Sequence, residues 1–276
     1  MIWFLLIAIG VIVLYIVYRK NFKILKVPSV CLITGGVKCG KSLLSVKLSI
    51  RDFRARHRKW WFFRYILRDK KKEEPMYYTN VQVSFGSIKR KKPHRLDRCI
   101  KLCTLDSLLR MERYNYKSVI YIQEASLMSD NMDFNNKVRN VELSLYAKLI
   151  AHETRGGALY IDTQSVLDVH YAFKRVASTY FFIQKNMNFL LFHILYVREM
   201  INTENGVNTF QDDVDTTTRK VLIPFWYHYK YNRYEYSYLT DDLKVSNESN
   251  VKHHGVISFN PLYMQHADKR VKEIKK

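Results

Sequence analysis

Cysteine is scarce in this sequence, with four in 276 residues. Cys31, Cys39, Cys99 and Cys103 have no second pair or histidine partners at zinc-ligand spacing. The thiols are expected to be reduced and packed in a cytosolic domain, with Cys39 exposed and oxidisable. Acid is scarce too. Asp+Glu 25 against Lys+Arg 46 gives a net charge of +21. Such a balance suits a polyanionic partner, either nucleic acid or an anionic membrane surface, with a merely solvated basic surface as the alternative. No internal repeat is visible. The marks of a removable leader are missing as well, because no basic residue precedes the apolar N-terminal run and no small-x-small site ends it. The length allows one sizeable α/β domain plus an appendage or two.

What is present begins with residues 2–18, apolar without interruption. That is the short end of what crosses a bilayer as a helix. Arg19, Lys20, Lys23 and Lys26 follow at once. The expectation is a single span with the N-terminus outside and the rest in the cytoplasm. Trp3, Tyr15 and Tyr18 stand where interfacial aromatics belong.

Val30-Cys31-Leu32-Ile33-Thr34 then reads as a buried strand. Gly35-Gly36-Val37-Lys38-Cys39-Gly40-Lys41-Ser42 follows it and fits G-x-x-x-x-G-K-[ST] at every fixed position. Gly35 and Gly40 permit a tight turn whose N–H groups face a phosphate. Lys41 brings a point charge to the β- and γ-phosphates, and Ser42 offers a hydroxyl to Mg2+. Leu43, Leu44, Val46, Leu48 and Ile50 continue without Gly or Pro, as a helix opening on the loop requires.

Arg51 to Lys72 mixes ten basic residues with Trp60, Trp61, Phe62, Phe63 and Tyr65. The mixture suits anionic lipid, single-stranded nucleic acid, or a helix with a solvated basic face. Residues 76–85 read as one strand and Cys99 to Cys103 as another. Ser118 to Ala125 is apolar until Gln123-Glu124, as a parallel strand is when its carboxyl end reaches a crevice. An acid that secures Mg2+ belongs at Gln123, and Glu124 is placed to polarise the attacking water. Because the first acid is an amide here, a scaffold that binds nucleotide and hydrolyses poorly stays open. Gln123→Asp is expected to leave hydrolysis equal or faster. Residues 136–153 have helical spacing, 158–163 read as a strand, 165–177 as a helix and 179–184 as a strand. Residues 189–197 and 221–229 are strand-like, and 241–276 are polar and basic.

The loop, Tyr78-Thr79-Asn80-Val81, Ile120 to Ala125, His152-Glu153-Thr154-Arg155-Gly156 and Ile161-Asp162-Thr163-Gln164 stand in a telling order. Together they resemble the zonula-occludens-toxin-like ATPases, assembly proteins of filamentous bacteriophages in the FtsK–HerA group of P-loop motors. The resemblance covers roughly residues 30–185. It implies an α/β P-loop core with a mostly parallel sheet over 27–185. Around that core the expectation is an N-terminal transmembrane anchor (1–26), a β-rich extension (186–240) and a basic tail (241–276). It further implies ATP and Mg2+ as cofactors, Gln164 sensing the γ-phosphate, and Arg155 reaching a neighbouring subunit's nucleotide. A homo-oligomeric ring in the host inner membrane would drive extrusion of single-stranded DNA or a virion, with coat or export-channel proteins as partners. A conjugation or packaging translocase is the variant reading. The chain departs from the family at Gln123, where Asp is usual, and in carrying its apolar run before the ATPase core instead of after it.

Overall fold

The computed structural model describes residues 29–69, 72–90, 92–103, 114–125, 156–165, 171–177, 179–201 and 218–236, with Gly10, Ile16, Tyr18, Phe22, Leu25 and Val169 singly. The strands are β1 (Val30–Gly35), β2 (Tyr77–Thr79), β3 (Val81–Val83), β4 (Ile100–Leu102), β5 (Val119–Ile122) and β6 (Ala158–Asp162). They continue as β7 (Thr179–Phe189), β8 (Phe192–Ile201), β9 (Thr218–Pro224) and β10 (Tyr231–Tyr236). Helix α1 spans Lys41–Trp61 and α2 spans Tyr171–Val176.

Eight strands form one sheet in the order β4-β2-β5-β6-β1-β7-β8-β9. From β4 to β7 every pairing is parallel. β8 and β9 add on antiparallel. The central strands β1, β5 and β6 are buried along their whole length. Their near-continuous apolar runs follow from burial on both faces. One core cluster joins the sheet to Leu43, Leu44, Val46 and Phe53 of α1. The other joins its opposite face to Val169, Phe173 and Ala177. The chain is therefore an α/β fold with a mixed, mostly parallel sheet.

Tyrosine fills much of the face under α1, and its phenols are satisfied. Tyr77 meets Ser49 at 2.7 Å, Tyr121 donates to Asp162 at 2.9 Å and Tyr160 donates to Asp52 at 3.2 Å. A buried phenol without a partner would cost about 1–3 kcal/mol.

Four expectations change. The single strand over 76–85 is two strands in different sheets, since β3 pairs with β10. Asn80 separates them because its side chain is committed to β5, described below. The basic stretch after the loop turns partly inward. Arg51 donates to the Leu25 carbonyl, Arg54 to that of Phe85, and Arg56 pairs with Asp52 at 3.0 Å. α1 then widens into a π-helical turn, Phe62–Ile66, where Phe62 and Tyr65 remain exposed. The helix expected over 165–177 is described as α2 alone, with Val169 in an isolated bridge. The turn after β7 lies at Leu190-Leu191, so residues 185–189 are strand. The boundary drawn between 185 and 186 therefore falls inside β7.

The expected membrane helix, the helix over 136–153, Arg155 and the tail from 241 lie outside the described residues, apart from Gly10, Ile16 and Tyr18. Among the described residues no helix is long and apolar enough to cross a membrane.

Candidate nucleotide site

β1, β5 and β6 end side by side, and the Gly35 to Ser42 loop closes over their carboxyl ends before α1 begins. Gly35 has φ 148°, and a Cβ there would meet the Cys39 sulfur at 2.8 Å and the Ile183 carbonyl at 2.9 Å. Gly40 caps α1 at φ 98°, with Leu195 3.0 Å from where a Cβ would stand. No other residue fits either position without displacing its neighbours. Gly36, Val37 and Lys38 are exposed, and Lys38 also has positive φ, 61°. Lys41 is only 7% exposed, and its ammonium donates to the Gly36 carbonyl at 3.1 Å. The cation is thus held under the loop against a carbonyl that a phosphate oxygen could replace.

Cys39 does not match its expectation. It is half-buried over Gly35, and burial raises its thiol, with Lys41 opposing. A thiol held in its protonated form oxidises slowly.

The structure adds Asp162, which the sequence analysis left inside a strand. It is 0% exposed at the end of β6. Its Oδ2 accepts from the Tyr121 hydroxyl at 2.9 Å and its Oδ1 from the Glu124 N–H at 2.8 Å. Burial pushes its carboxyl up, opposed by these two donors and by the Lys41 charge. The available signal was a lone acid in an otherwise apolar buried strand, a residue type almost never buried without a purpose.

Glu124 stands opposite in left-handed backbone, φ 51°. A non-glycine residue held there is strained, as residues at functional sites often are. Burial and the Asp162 charge push its carboxyl up to about 7, with Lys41 opposing. Asp162 and Glu124 therefore titrate as a pair.

Gln123 is fixed through its backbone. Asn80, fully buried, donates to the Gln123 carbonyl at 2.9 Å and accepts its N–H at 2.8 Å. The Gln123 Oε1 is buried with no hydrogen-bond partner among the described residues. Gln164 is exposed just past β6, beyond Thr163, whose N–H donates to the Ile33 carbonyl at 3.0 Å. Of the residues expected to form the site, the loop, Lys41, Ser42, Gln123 and Glu124 share one sheet edge. Gln164 stands at the same end of its strand.

This donor set fits a hydrated Mg2+. It is all oxygen, and the unmatched Gln123 acceptor is of the kind that a metal-bound water satisfies. Ser42 and Gln123 would hold the ion, and the loop N–H groups with Lys41 would hold nucleotide phosphates.

No protein family and no curated protein matches the chain. Solved structures similar to it include the N-terminal domain of zonular occludens toxin from Neisseria meningitidis. That domain is 15% identical, with 75% of this chain and 100% of that one covered at a TM-score of 0.45. The genome packaging NTPase B204 from Sulfolobus turreted icosahedral virus 2, in complex with AMPPCP, is 12% identical over 65% of this chain and 100% of that one, at 0.37. The flagellar accessory protein FlaH from Methanocaldococcus jannaschii is 13% identical over 62% and 79%, at 0.36. These are likenesses of overall fold; the chemistry of the site rests on its own residues.

Proposed function

We propose that the chain is a P-loop ATPase whose turnover drives a membrane-linked assembly or DNA-translocation step. One observation carries the ATPase part: a complete phosphate loop whose Lys41 charge acts on both carboxylates, Asp162 and Glu124. In this reading the loop N–H groups and Lys41 bind and orient the phosphates. Glu124 orients the attacking water and accepts its proton. Bound Mg2+ supplies charge neutralisation on the β- and γ-phosphates. Gln164, at the sheet edge, would touch the γ-phosphate, and Arg155 would act on a neighbouring subunit's nucleotide.

The motor part follows from the motif resemblance. It is supported by the +21 charge and by the apolar run followed by four basic residues. That run would anchor the chain in the host inner membrane, N-terminus outside, with a ring of ATPase domains in the cytoplasm. The work would be extrusion of a filamentous virion or transport of DNA, with single-stranded DNA or the coat and export-channel proteins as partners. A weakly hydrolysing scaffold is the second reading, and Gln123 at the usual acid position favours it.

Steady-state ATP turnover of the full chain, with and without single-stranded DNA, separates the two. The motor reading expects turnover that DNA raises. Lys41→Ala should lower ATP affinity at least about 100-fold, as loss of a desolvated charge contact does, with the melting temperature nearly unchanged. Tight ATP binding without turnover would leave the scaffold reading standing. Undiminished binding by Lys41→Ala would remove the site.

A further inference from the structure

Side chains alternate across a sheet, so register decides which groups share a face. In β5, Val119 and Tyr121 belong to the core beneath α1, whereas Ile120 and Ile122 belong to the opposite core. Gln123 continues the first series. In β6, Tyr160 lies in the core beneath α1, and Leu159 and Ile161 lie opposite. Asp162 continues the first series. The two strands are parallel with Ile122 beside Ile161. Gln123 and Asp162 are therefore the next cross-strand neighbours, on the α1 face, at the same level. β6 lies between β5 and the loop strand β1, with Ile33 beside Asp162.

We propose that Asp162 supplies, from the neighbouring strand, the carboxylate missing at Gln123, so that the acid organising Mg2+ in this site sits on β6. The inference rests on the ATPase reading above and deepens it. The Asp162 oxygens are already aimed by two donors, the Tyr121 hydroxyl and the Glu124 N–H. Ser42 is the residue whose hydroxyl reaches the metal in a phosphate loop. A carboxylate on the same face of the sheet, cross-strand from Gln123, orients the ion's water shell, as a charged outer neighbour does for a metal ligand. Gln123, its backbone held by Asn80, contributes the neutral acceptor Oε1 to the ion's water shell. Charge and acceptor are thus divided between two strands. A second carboxylate at 123 would set like charges cross-strand beside Glu124.

The experiment reads metal binding directly. The full chain in detergent is titrated with a fluorescent ATP analogue in EDTA and in graded Mg2+. Mn2+ affinity in the presence of ADP is read by electron paramagnetic resonance. Asp162→Asn should weaken Mg2+ or Mn2+ affinity about 10–100-fold, the usual loss for an outer-shell partner, and leave metal-free nucleotide affinity within about 3-fold. The exchange Gln123→Asp with Asp162→Asn should bring metal affinity back to within a few-fold of the parent. If Asp162→Asn does not fold, Tyr121→Phe decides, since it removes one donor from Asp162 and keeps the ring in place. Its expected loss is about 2–5-fold in metal affinity. Unchanged metal affinity in a folded Asp162→Asn, or in Tyr121→Phe where the first variant fails, overturns the assignment and leaves the ATPase reading intact. A parent chain that binds no nucleotide overturns both.

Discussion

The sheet has two halves that differ in kind. From β4 to β1 the strands are short and parallel, buried from β2 inward, and those of the centre end together at the phosphate loop. From β7 to β9 the strands are antiparallel and mostly longer, and the β7–β8 hairpin leaves Phe189, Leu190 and Leu191 exposed. The parallel half places all its carboxyl ends on one edge, where backbone and side chains converge on a ligand. The antiparallel half has no such edge. It contributes by packing, with Leu195 of β8 set against Gly40 of the loop. Chemistry should therefore be sensitive in the first half and stability in the second.

The sharpest test of that division is Glu124→Gln. The change keeps shape and removes the base, so turnover should fall about ten- to a thousand-fold while ATP stays bound. Single-turnover hydrolysis and nucleotide affinity on the same protein check it. Normal turnover would move the water-orienting role elsewhere.

Leu195→Ala strikes the contact between the halves. Leu195 is 0% exposed, so the truncation should cost about 2–5 kcal/mol and free space over Gly40. Denaturant unfolding measures the first effect. ATP titration should show weaker binding as the second, since the loop loses a support. A stability loss with unaltered ATP affinity would show that the loop holds its shape without β8.

The Glu124 carboxyl makes the parallel half pH-sensitive. Its value rises from 4.5 to about 7 on folding, so the folded state holds the proton more tightly than the unfolded state. Stability should then fall as pH rises from about 4.5 through about 7, and level off above. The difference is on the order of 1–3 kcal/mol once partial solvent access is allowed for. Melting curves without nucleotide, for the parent and Glu124→Gln, check it, because the variant should lose part of this slope and keep only what Asp162, the other half of the pair, contributes.

The parallel half was also the more legible in sequence. Buried strands declared themselves as apolar runs, and the loop as a motif whose glycines are sterically required. Gln123 and Glu124 were found because they end such a run. Asp162 was missed because it precedes the strand's last polar residues, so its pairing with Tyr121 depends on the register between β5 and β6. Asn80 was hidden for the same reason, being read as strand when its side chain clips β5. The expectation that Gln123→Asp leaves hydrolysis equal or faster was drawn from β5 alone. With Asp162 alongside, the single change crowds carboxylates, and the exchange with Asp162→Asn is the variant expected to work. In the antiparallel half, Phe189-Leu190-Leu191-Phe192 carries no glycine or asparagine to mark a turn, so the first strand was ended at 184 and the second begun at 189, where the structure has them meet at Leu190-Leu191.

That hairpin gives the smallest expected effect. Phe189 pairs with Phe192, which leaves a two-residue loop with Leu190 at φ 48°. Such loops favour glycine or asparagine, because a left-handed backbone crowds an L side chain at a cost of about 1–2 kcal/mol. Leu190 is 86% exposed, so its side chain has little packing to lose. Leu190→Gly removes the crowding and adds about 0.5–1 kcal/mol of chain entropy to the unfolded state. The two terms nearly offset, and the net change should lie between zero and about 1 kcal/mol of stabilisation. ATP affinity and turnover should not move, since the Leu190 side chain points into solvent. Denaturant midpoints and an ATP titration on this variant check both statements. A fall in ATP affinity would mean that the hairpin acts on the phosphate loop, and the division between a chemical half and a packing half would fail.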